Sequence, residues 1–197
     1  MVSDTSVNLQ EYLARECGTA IGLGLGNHLI NGTGTGQPRG VLADSTAGIT
    51  GPVGTATTLG TQATAGQGTD LLNSLAGSLL EPYAASRSAG FLLRNASLTQ
   101  VRNLKTTSGE LVGSSFVGGS PWPFHVDPYV PAMAANAKSI LFGSWERYVV
   151  RLVNGIRFDT STEAQFTSDM VTFRAILRAD GALLNTDAIK HFANSAT

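Results

Sequence analysis

Residues 31–42 read NGTGTGQPRGVL, and this stretch decides how the chain is divided. Four glycines within ten positions cannot hold a regular helix or strand, and Pro38 favours an extended backbone at Gln37. The stretch therefore predicts a loop, in which at least one glycine has a positive φ angle that other residues avoid. The residues that we expect to shape this loop are Gly32, Gly34, Gly36, Pro38 and Gly40.

A helix is predicted directly before the loop. Apolar residues recur at every fourth position from Leu9 to Leu29, which is the spacing of one helix face. Ser6 or Asn8 is the expected cap, the latter with Glu11 three positions later. Four glycines between residues 18 and 26 weaken such a helix, so we expect another backbone to pack closely against it.

The middle of the chain predicts short elements. Residues 45–69 carry no charged side chain and predict short strands and turns. The elements expected after them are a helix at 70–81, a strand at 91–94, a helix at 97–105 capped by Ser97 with Gln100, a loop at 114–120, and an edge strand among the prolines of 121–131.

The last quarter of the chain predicts antiparallel strands. The segments 148–153 and 156–158 flank Asn154-Gly155, the dipeptide most typical of a tight hairpin turn. Apolar and polar residues alternate over 171–179, which predicts a strand with one buried face that packs on the first helix. Asn185 can cap a final helical turn. Early helices and late antiparallel strands together predict an α+β fold.

Composition excludes several classes of function. Charged residues make up only 14% of the 197 residues, and the net charge is −1. This balance argues against a protein that is held to nucleic acid or to a membrane surface by charge. No apolar run approaches the ~18 residues of a membrane span. The single cysteine, Cys17, excludes an internal disulfide and a zinc site of the cysteine-cluster kind.

Catalytic motifs are missing from the sequence. There is no Gly-Lys pair for a phosphate-binding Walker loop, and Arg39 stands where a dinucleotide fingerprint needs its third glycine. His28, His125 and His191 lack metal-binding spacing, and no G-x-S-x-G elbow is present. We expect no cofactor, no metal and no enzymatic activity. An enzyme whose three histidines converge in space is the alternative that coordinates can test.

Four segments in order resemble tailed-bacteriophage major capsid proteins of the Hong Kong 97 type. They are VSDTSVNLQEYL (2–13), NGTGTGQPRGVL (31–42), ILFG (140–143) followed by the aromatic-rich 145–148, and FRAILRADG (173–181) followed by ALLN. Together they span almost the whole chain, which is therefore identified as a member of that family.

The resemblance implies a fold of two lobes. Residues 1–43, with a spine helix at about 7–30, would form the first part of a peripheral lobe, and 139–197 would form its second part. Residues 44–138 would form an inserted axial lobe. The glycine-rich loop would then be the crossing point between the lobes.

The resemblance also implies a function. The chain would be a structural virion protein that self-assembles into the pentamers and hexamers of an icosahedral phage or prophage shell. It would contact the packaged DNA only non-specifically, bind no membrane, and assemble in the cytoplasm of a bacterial host. The alternative is an encapsulin-like nanocompartment shell protein, which shares the fold but encloses an enzyme cargo.

Two departures from the family pattern limit what carries over. Family members have an N-terminal arm and an extended loop before the spine helix, and Met1-Val2-Ser3 leaves no room for them, so we expect this form to be a monomer or a weak oligomer. Some members also cross-link a lysine of that loop to an asparagine, with a glutamate as base. The matching positions are Asp169 and Ile176, so we expect no cross-linking.

Overall fold

A long helix, α1 (Leu9–Asn31), opens the computed structural model, which describes residues 9–197. Its predicted apolar stripe is half-buried from Leu9 to Leu29, but Tyr12 and Ala20, which we expected to widen the stripe, are exposed, as is Leu23. The four-residue repeat therefore marks the inner face of α1, as predicted. The expected caps Ser6 and Asn8 lie outside the described residues.

The glycines of α1 do not admit a second backbone within residues 9–197. A Cβ atom added at Gly22 or Gly24 would meet no atom within 4 Å. At Gly26 it would lie 3.1 Å from the ring of Tyr129, and at Gly18 it would lie 3.9 Å from Cδ1 of Ile156. Side chains rather than backbone approach this helix, so the expectation of a close backbone contact was wrong here.

In residues 9–197, seven strands form two separate sheets. The strands are β1 (Thr46–Thr50), β2 (Ala89–Leu93), β3 (Phe124–Val126), β4 (Lys138–Ser144), β5 (Tyr148–Gln165), β6 (Met170–Leu183) and β7 (Ile189–Ala193). Five of them make a mixed sheet in the order β1-β7-β4-β2-β3, in which the two outer pairs are parallel and the two inner pairs antiparallel. The other two, β5 and β6, pair only with each other as a long antiparallel hairpin.

The five-stranded sheet is buried on both faces. Ile140 and Phe142 of β4 join the larger core cluster, where Phe91 of β2 stacks on Phe124 of β3 with ring centroids 4.7 Å apart. Leu141 points to the opposite face and joins a smaller cluster that includes Ile30 of α1 and Leu183 of β6. Since successive strand residues face opposite sides, this smaller cluster is what attaches α1 and the hairpin to the sheet.

Five further α-helices connect these strands in the part of the chain that the structure describes: α2 (Val41–Asp44), α3 (Thr69–Gly77), α4 (Glu81–Ala84), α5 (Asn95–Arg102) and α6 (Val112–Gly119). The sequence prediction contains no separate helix at α2 or α4, and it also differs from the structure at α5 and α6. The glycine- and serine-rich 114–120 belongs mostly to α6 rather than to a loop, and α6 packs so closely on α5 that a Cβ at Gly113 would overlap the carbonyl oxygen of Val101. Ser97 lies buried inside α5 instead of capping it.

The predicted hairpin turn at Asn154-Gly155 is wrong. Strand β5 runs through both residues, and the chain reverses at the turn Phe166–Ser168 and at Asp169. Asn154 and Gly155 have φ angles of 57° and 69°, as a tight turn would require. They form a β-bulge. Val153 pairs with Arg178 and Arg157 pairs with Ile176, so four positions along β5 match only two positions along β6, and β5 has two extra residues there.

The pairing of strands β4 and β7 differs from the predicted division of the lobes, which placed residues 139–197 together with α1. Both strands belong to the sheet of β1, β2 and β3, whereas only the hairpin 148–183 lies apart from it with α1.

Asn185 does act as a cap, since its side chain accepts a hydrogen bond from the Asp187 amide at 2.8 Å. That cap opens a 3-10 turn, and the chain continues as β7 rather than as a helix. Within residues 9–197, we find no helix that combines the length and apolar character required to cross a bilayer.

Candidate functional site

The glycine-rich loop is closed at its neck by backbone contacts. The Gly40 amide donates to the carbonyl of Gly32 at 2.9 Å, and the Gly32 amide donates to His28 at 2.8 Å. A Cβ added at Gly32 would lie 2.0 Å from the Pro38 carbonyl oxygen, and one added at Gly40 would lie 2.5 Å from that of Ile30. These two glycines are therefore required for close approach of one backbone to another.

Gly34 and Gly36 have a different role in the same loop. Their φ angles are +82° and +69°, which are the left-handed values expected from the sequence. A Cβ at Gly36 would meet no atom within 4 Å, so its requirement for glycine is conformational rather than steric. The loop thus uses two glycines for packing and two for turning the chain.

The hydroxyl of Tyr148 fastens this neck to the hairpin. It donates towards the carbonyl oxygens of Leu29, at the end of α1, and Arg39, at the end of the loop, at 3.0 and 2.8 Å. Gly181 of β6 makes room for it, since a Cβ there would lie 2.4 Å from the hydroxyl oxygen. Burial, and then the carboxylates of Asp180 and Asp44, raise the pKa of Tyr148 to about 12. The hydroxyl therefore stays protonated and keeps its donor role at neutral pH.

A second set of contacts fastens the loop to the five-stranded sheet. The Lys138 ammonium donates to the Leu42 carbonyl at 2.7 Å, and the Ser45 hydroxyl lies 2.9 Å from Nδ1 of His191. Burial, and then the charge of Lys138, lower the pKa of His191 to about 4, although the contact with Ser45 opposes this shift and the charge of Lys190 adds to it. His191 is thus a neutral hydrogen-bonding group at neutral pH.

The junction formed in this way joins three units: α1, the hairpin β5–β6 and the five-stranded sheet. Beside it lies an open groove of about 640 Å³, lined by α1, by the loop and by Leu177 to Asp180 of β6. Sequence reasoning identified the loop but missed Tyr148 and Gly181. Tyr148 contacts a carbonyl 119 residues away, and no local pattern could have indicated that contact.

The three histidines do not converge. His125 and His191 lie on β3 and β7, and the cross-strand pairs of Leu92 and Leu141 separate them by three strand spacings. At ~4.8 Å per spacing, this is about 14 Å. Among residues 9–197 no group of three histidine, cysteine, aspartate or glutamate side chains is arranged to hold a metal ion. The geometry therefore contradicts the histidine-site alternative.

The acidic residues near the end of the hairpin do not form a catalytic carboxylate pair either. Asp159 accepts from Arg174 at 2.9 Å and from Arg157 at 3.0 Å. The hydrogen bond from Arg174 contributes most to lowering the pKa of Asp159. A carboxylate held ionised between two guanidinium groups is unsuited to general acid catalysis.

Exposed apolar side chains concentrate on the hairpin. Half of the large apolar side chains that are exposed by more than a third of their surface in residues 9–197 lie on this hairpin: Val149, Val150, Leu152, Ile156, Phe166, Met170 and Val171. Apolar side chains grouped on one projecting element are typical of a surface that contacts another protein. The arrangement therefore fits a subunit that binds neighbours better than an enzyme.

Comparison with known proteins gives a family and a fold. The model of the phage capsid family matches residues 1–194. No curated protein matches the chain. Among solved structures, the capsid of a native GTA particle matches with a TM-score of 0.84 and 21% identity, over 99% of this chain and 68% of that chain.

Two other solved structures show the range of the likeness. A chain of Mycobacterium phage Adephagia matches with a TM-score of 0.71 and 17% identity, over 100% of this chain and 68% of that one. The SrpI encapsulin complex from Synechococcus elongatus PCC 7942 matches with a TM-score of 0.64 and 16% identity, over 100% and 69% of the two chains. At these identities the likeness shows the fold, and the predicted α+β class of the Hong Kong 97 type is confirmed.

Proposed function

The chain belongs to the phage capsid family, as a major capsid protein of the Hong Kong 97 type, and we propose that it self-assembles into the capsomers of an icosahedral phage or prophage shell that encloses DNA. The observation that carries the proposal is the match of the family over residues 1–194, nearly the whole chain. In this proposal the capsomers are pentamers and hexamers, the shell contains packaged DNA, and assembly takes place in the cytoplasm of a bacterial host.

The junction supports a shell subunit built from two lobes. We propose that α1 and the hairpin form the peripheral lobe, and that the five-stranded sheet with α3 to α6 forms the axial lobe. The Gly32–Gly40 neck and the Tyr148 hydroxyl would then fix the angle between the lobes. A fixed angle matters because a closed shell requires every subunit to present its contacts in nearly the same geometry.

We expect DNA to be enclosed without being tightly bound. The chain has 13 basic and 14 acidic side chains, so it cannot neutralise many phosphates.

We also expect the chain to have no catalytic role and to form no covalent cross-links. Asp169 ends the turn between β5 and β6, and Ile176 lies within β6. An ionised carboxylate accepts an amine poorly, and isoleucine cannot act as a base.

We expect the 197-residue polypeptide alone to be a monomer or a weak small oligomer in dilute solution. Stable interfaces bury about 1,200–2,000 Å² in total. The 197 residues span 68% of the GTA capsid chain that they match, so contacts made by the rest of such a chain are outside this polypeptide. Light scattering across a concentration series checks this expectation, which a stable pentamer or hexamer of the polypeptide would contradict.

An encapsulin-like shell with an enzyme cargo is the second candidate, because the SrpI encapsulin complex shares the fold. Its TM-score of 0.64 is below the 0.84 of the GTA capsid, which favours the first candidate. The test is to purify particles of the gene product at its native length and treat them with nuclease. DNA protected inside the particles supports a phage or prophage shell, whereas a protein cargo without protected DNA supports a nanocompartment.

A further inference from the structure

The far end of the hairpin carries apolar and acidic side chains together. We call residues 163–170 the hairpin tip. Phe166 is 82% exposed and Met170 is 51% exposed. Glu163 and Asp169 are exposed as well, and neither makes an ion pair within residues 9–197. The tip is thus a projecting apolar side chain flanked by two unpaired negative charges.

Nearer the base of the same hairpin, the bulge opens a recess. The cross-strand pairs Val153–Arg178 and Arg157–Ile176 bracket the two extra residues, Asn154 and Gly155. These six residues line a recess of about 330 Å³, which we call the bulge recess. A Cβ at Gly155 would meet nothing within 4 Å, so the recess is open on that side.

The charges at the rim of the bulge recess are positive. Arg178 makes no ion pair within the described part of the chain. Arg157 is paired with Asp159 at 3.0 Å, but Asp159 is shared with Arg174 at 2.9 Å, so these three residues keep a net positive charge. The hairpin tip and the bulge recess are therefore complementary in charge.

They are also complementary in shape and polarity. A cavity of about 150 Å³ suffices for benzene, so the recess of about 330 Å³ has room for a phenyl ring and part of its backbone. Val153 and Ile176 give it apolar walls, against which a ring would lose its contact with water. The guanidinium groups at the rim can each bind a carboxylate in a planar, two-point arrangement.

We propose that the hairpin tip of one copy of this chain docks into the bulge recess of a second copy, with Phe166 inserted and with Glu163 and Asp169 facing Arg157 and Arg178. The contact rests on the proposed function, because it is one of the contacts that would hold shell subunits together. It cannot form within one chain, since Glu163, the first residue of the tip, is six residues along β5 from Arg157, which at ~3.3 Å per residue is about 20 Å. The contact is head-to-tail, and such contacts form a ring where the rotation between copies closes and an open filament where it does not.

Disulfide trapping in the gene product at its native length tests the proposal. Cys17 is first replaced by alanine, and Phe166→Cys and Ile176→Cys are combined in one chain. The two positions are too far apart for a disulfide within a chain, which requires Cα atoms less than about 7 Å apart. Under mild oxidation we expect covalent oligomers on a denaturing gel. The matched control combines Phe166→Cys with Val53→Cys, because Val53 is 80% exposed but lies outside the hairpin.

Charge reversal provides the second measurement. Arg178→Glu should lower the yield of Phe166–Ile176 cross-links at least about fivefold, and Glu163→Arg in the same chain should restore part of it. Cross-linking no greater than in the Val53 control overturns the proposal. So does a dimer formed by Phe166→Cys alone in equal yield, because it would indicate a symmetric tip-to-tip contact. Loss of bound DNA in Arg178→Glu without any cross-link also overturns it, since the rim would then serve nucleic acid.

Electron microscopy of the same samples separates this inference from the proposed function. Shells without the cross-link would overturn the tip-to-recess contact and leave the shell function intact. Cross-links without shells would support the contact and contradict the shell function. The absence of both would contradict both.

Discussion

Replacing Gly32 by alanine is the sharpest perturbation of the junction between the lobes. The new Cβ would lie 2.0 Å from the carbonyl oxygen of Pro38 and 2.4 Å from that of His28, and neither backbone atom can rotate away. Separating them breaks the hydrogen bonds from the Gly32 amide to His28 and from the Gly40 amide to Gly32. Overpacking costs about 1–3 kcal/mol and each lost hydrogen bond about 1 kcal/mol, so we expect a loss of about 3–5 kcal/mol.

Urea unfolding followed by the fluorescence of Trp122 and Trp145 measures this loss. Two matched variants calibrate it. Gly36→Ala has a positive φ angle of 69° but open space, so only the conformational cost of about 1–2 kcal/mol applies. Gly22→Ala lies on the exposed face of α1 and should stabilise the protein by up to about 1 kcal/mol. If Gly32→Ala costs no more than Gly36→Ala, the neck is not closed as described and the reasoning fails.

Three further predictions concern the surroundings of the junction. Tyr148→Phe removes the donor shared by the Leu29 and Arg39 carbonyls, so the unfolding free energy should fall by about 1–2 kcal/mol in the same urea assay; an unchanged midpoint would mean that the hydroxyl holds nothing. The pKa of His191 is lowered to about 4 from 6.5, so protons favour the unfolded chain; stability should be full above pH 6.5 and fall as the pH approaches 4. His191→Gln should flatten that dependence in thermal melts between these pH values, and a slope identical to that of the wild type would refute the assignment. Phe173→Ala should lower the unfolding free energy by about 1–2 kcal/mol, which is below the usual range for a buried phenylalanine, because the ring is half-buried. The ring stacks on that of Phe158 with centroids 5.8 Å apart. A loss above about 3 kcal/mol would show that the ring is buried more deeply.

The elements that the sequence predicted well are those whose signal is local. The four-residue apolar repeat of α1 follows from placing one face of a helix against the rest of the protein, and that stripe is half-buried in the structure. The strand predicted over 171–179 also forms, as part of β6, but no residue of that segment is buried and Val171 is exposed, so the expected buried face was wrong. The glycine-rich loop was equally predictable, because positive φ angles and proline restrict the backbone whatever its surroundings. Gly34 and Gly36 have the expected angles.

The elements that were mispredicted depend on partners distant in sequence. Asn154-Gly155 has positive φ angles in a tight turn and in a bulge alike, and only the pairing of its flanks with Arg178 and Ile176 decides between them. Strand β4 is buried on both faces, so it has no alternation that would indicate its neighbours. Its position beside β7 follows from packing across about 50 residues of intervening chain.

The candidate site was only partly predictable for the same reason. The glycines of the loop could be found from the sequence, but the tyrosine that fastens the loop to the hairpin could not. Tyr148 lies in an aromatic-rich segment that carries no pattern for a contact with the loop, and Gly181 is needed because the Tyr148 hydroxyl and the Arg39 carbonyl oxygen lie beside it.

Negative-stain electron microscopy of the gene product at its native length tests the central claim most directly. The account predicts closed icosahedral shells built from the gene product at its native length, with DNA inside that nuclease does not reach. A uniform monomer at every concentration, with no shells on the grid, would contradict it.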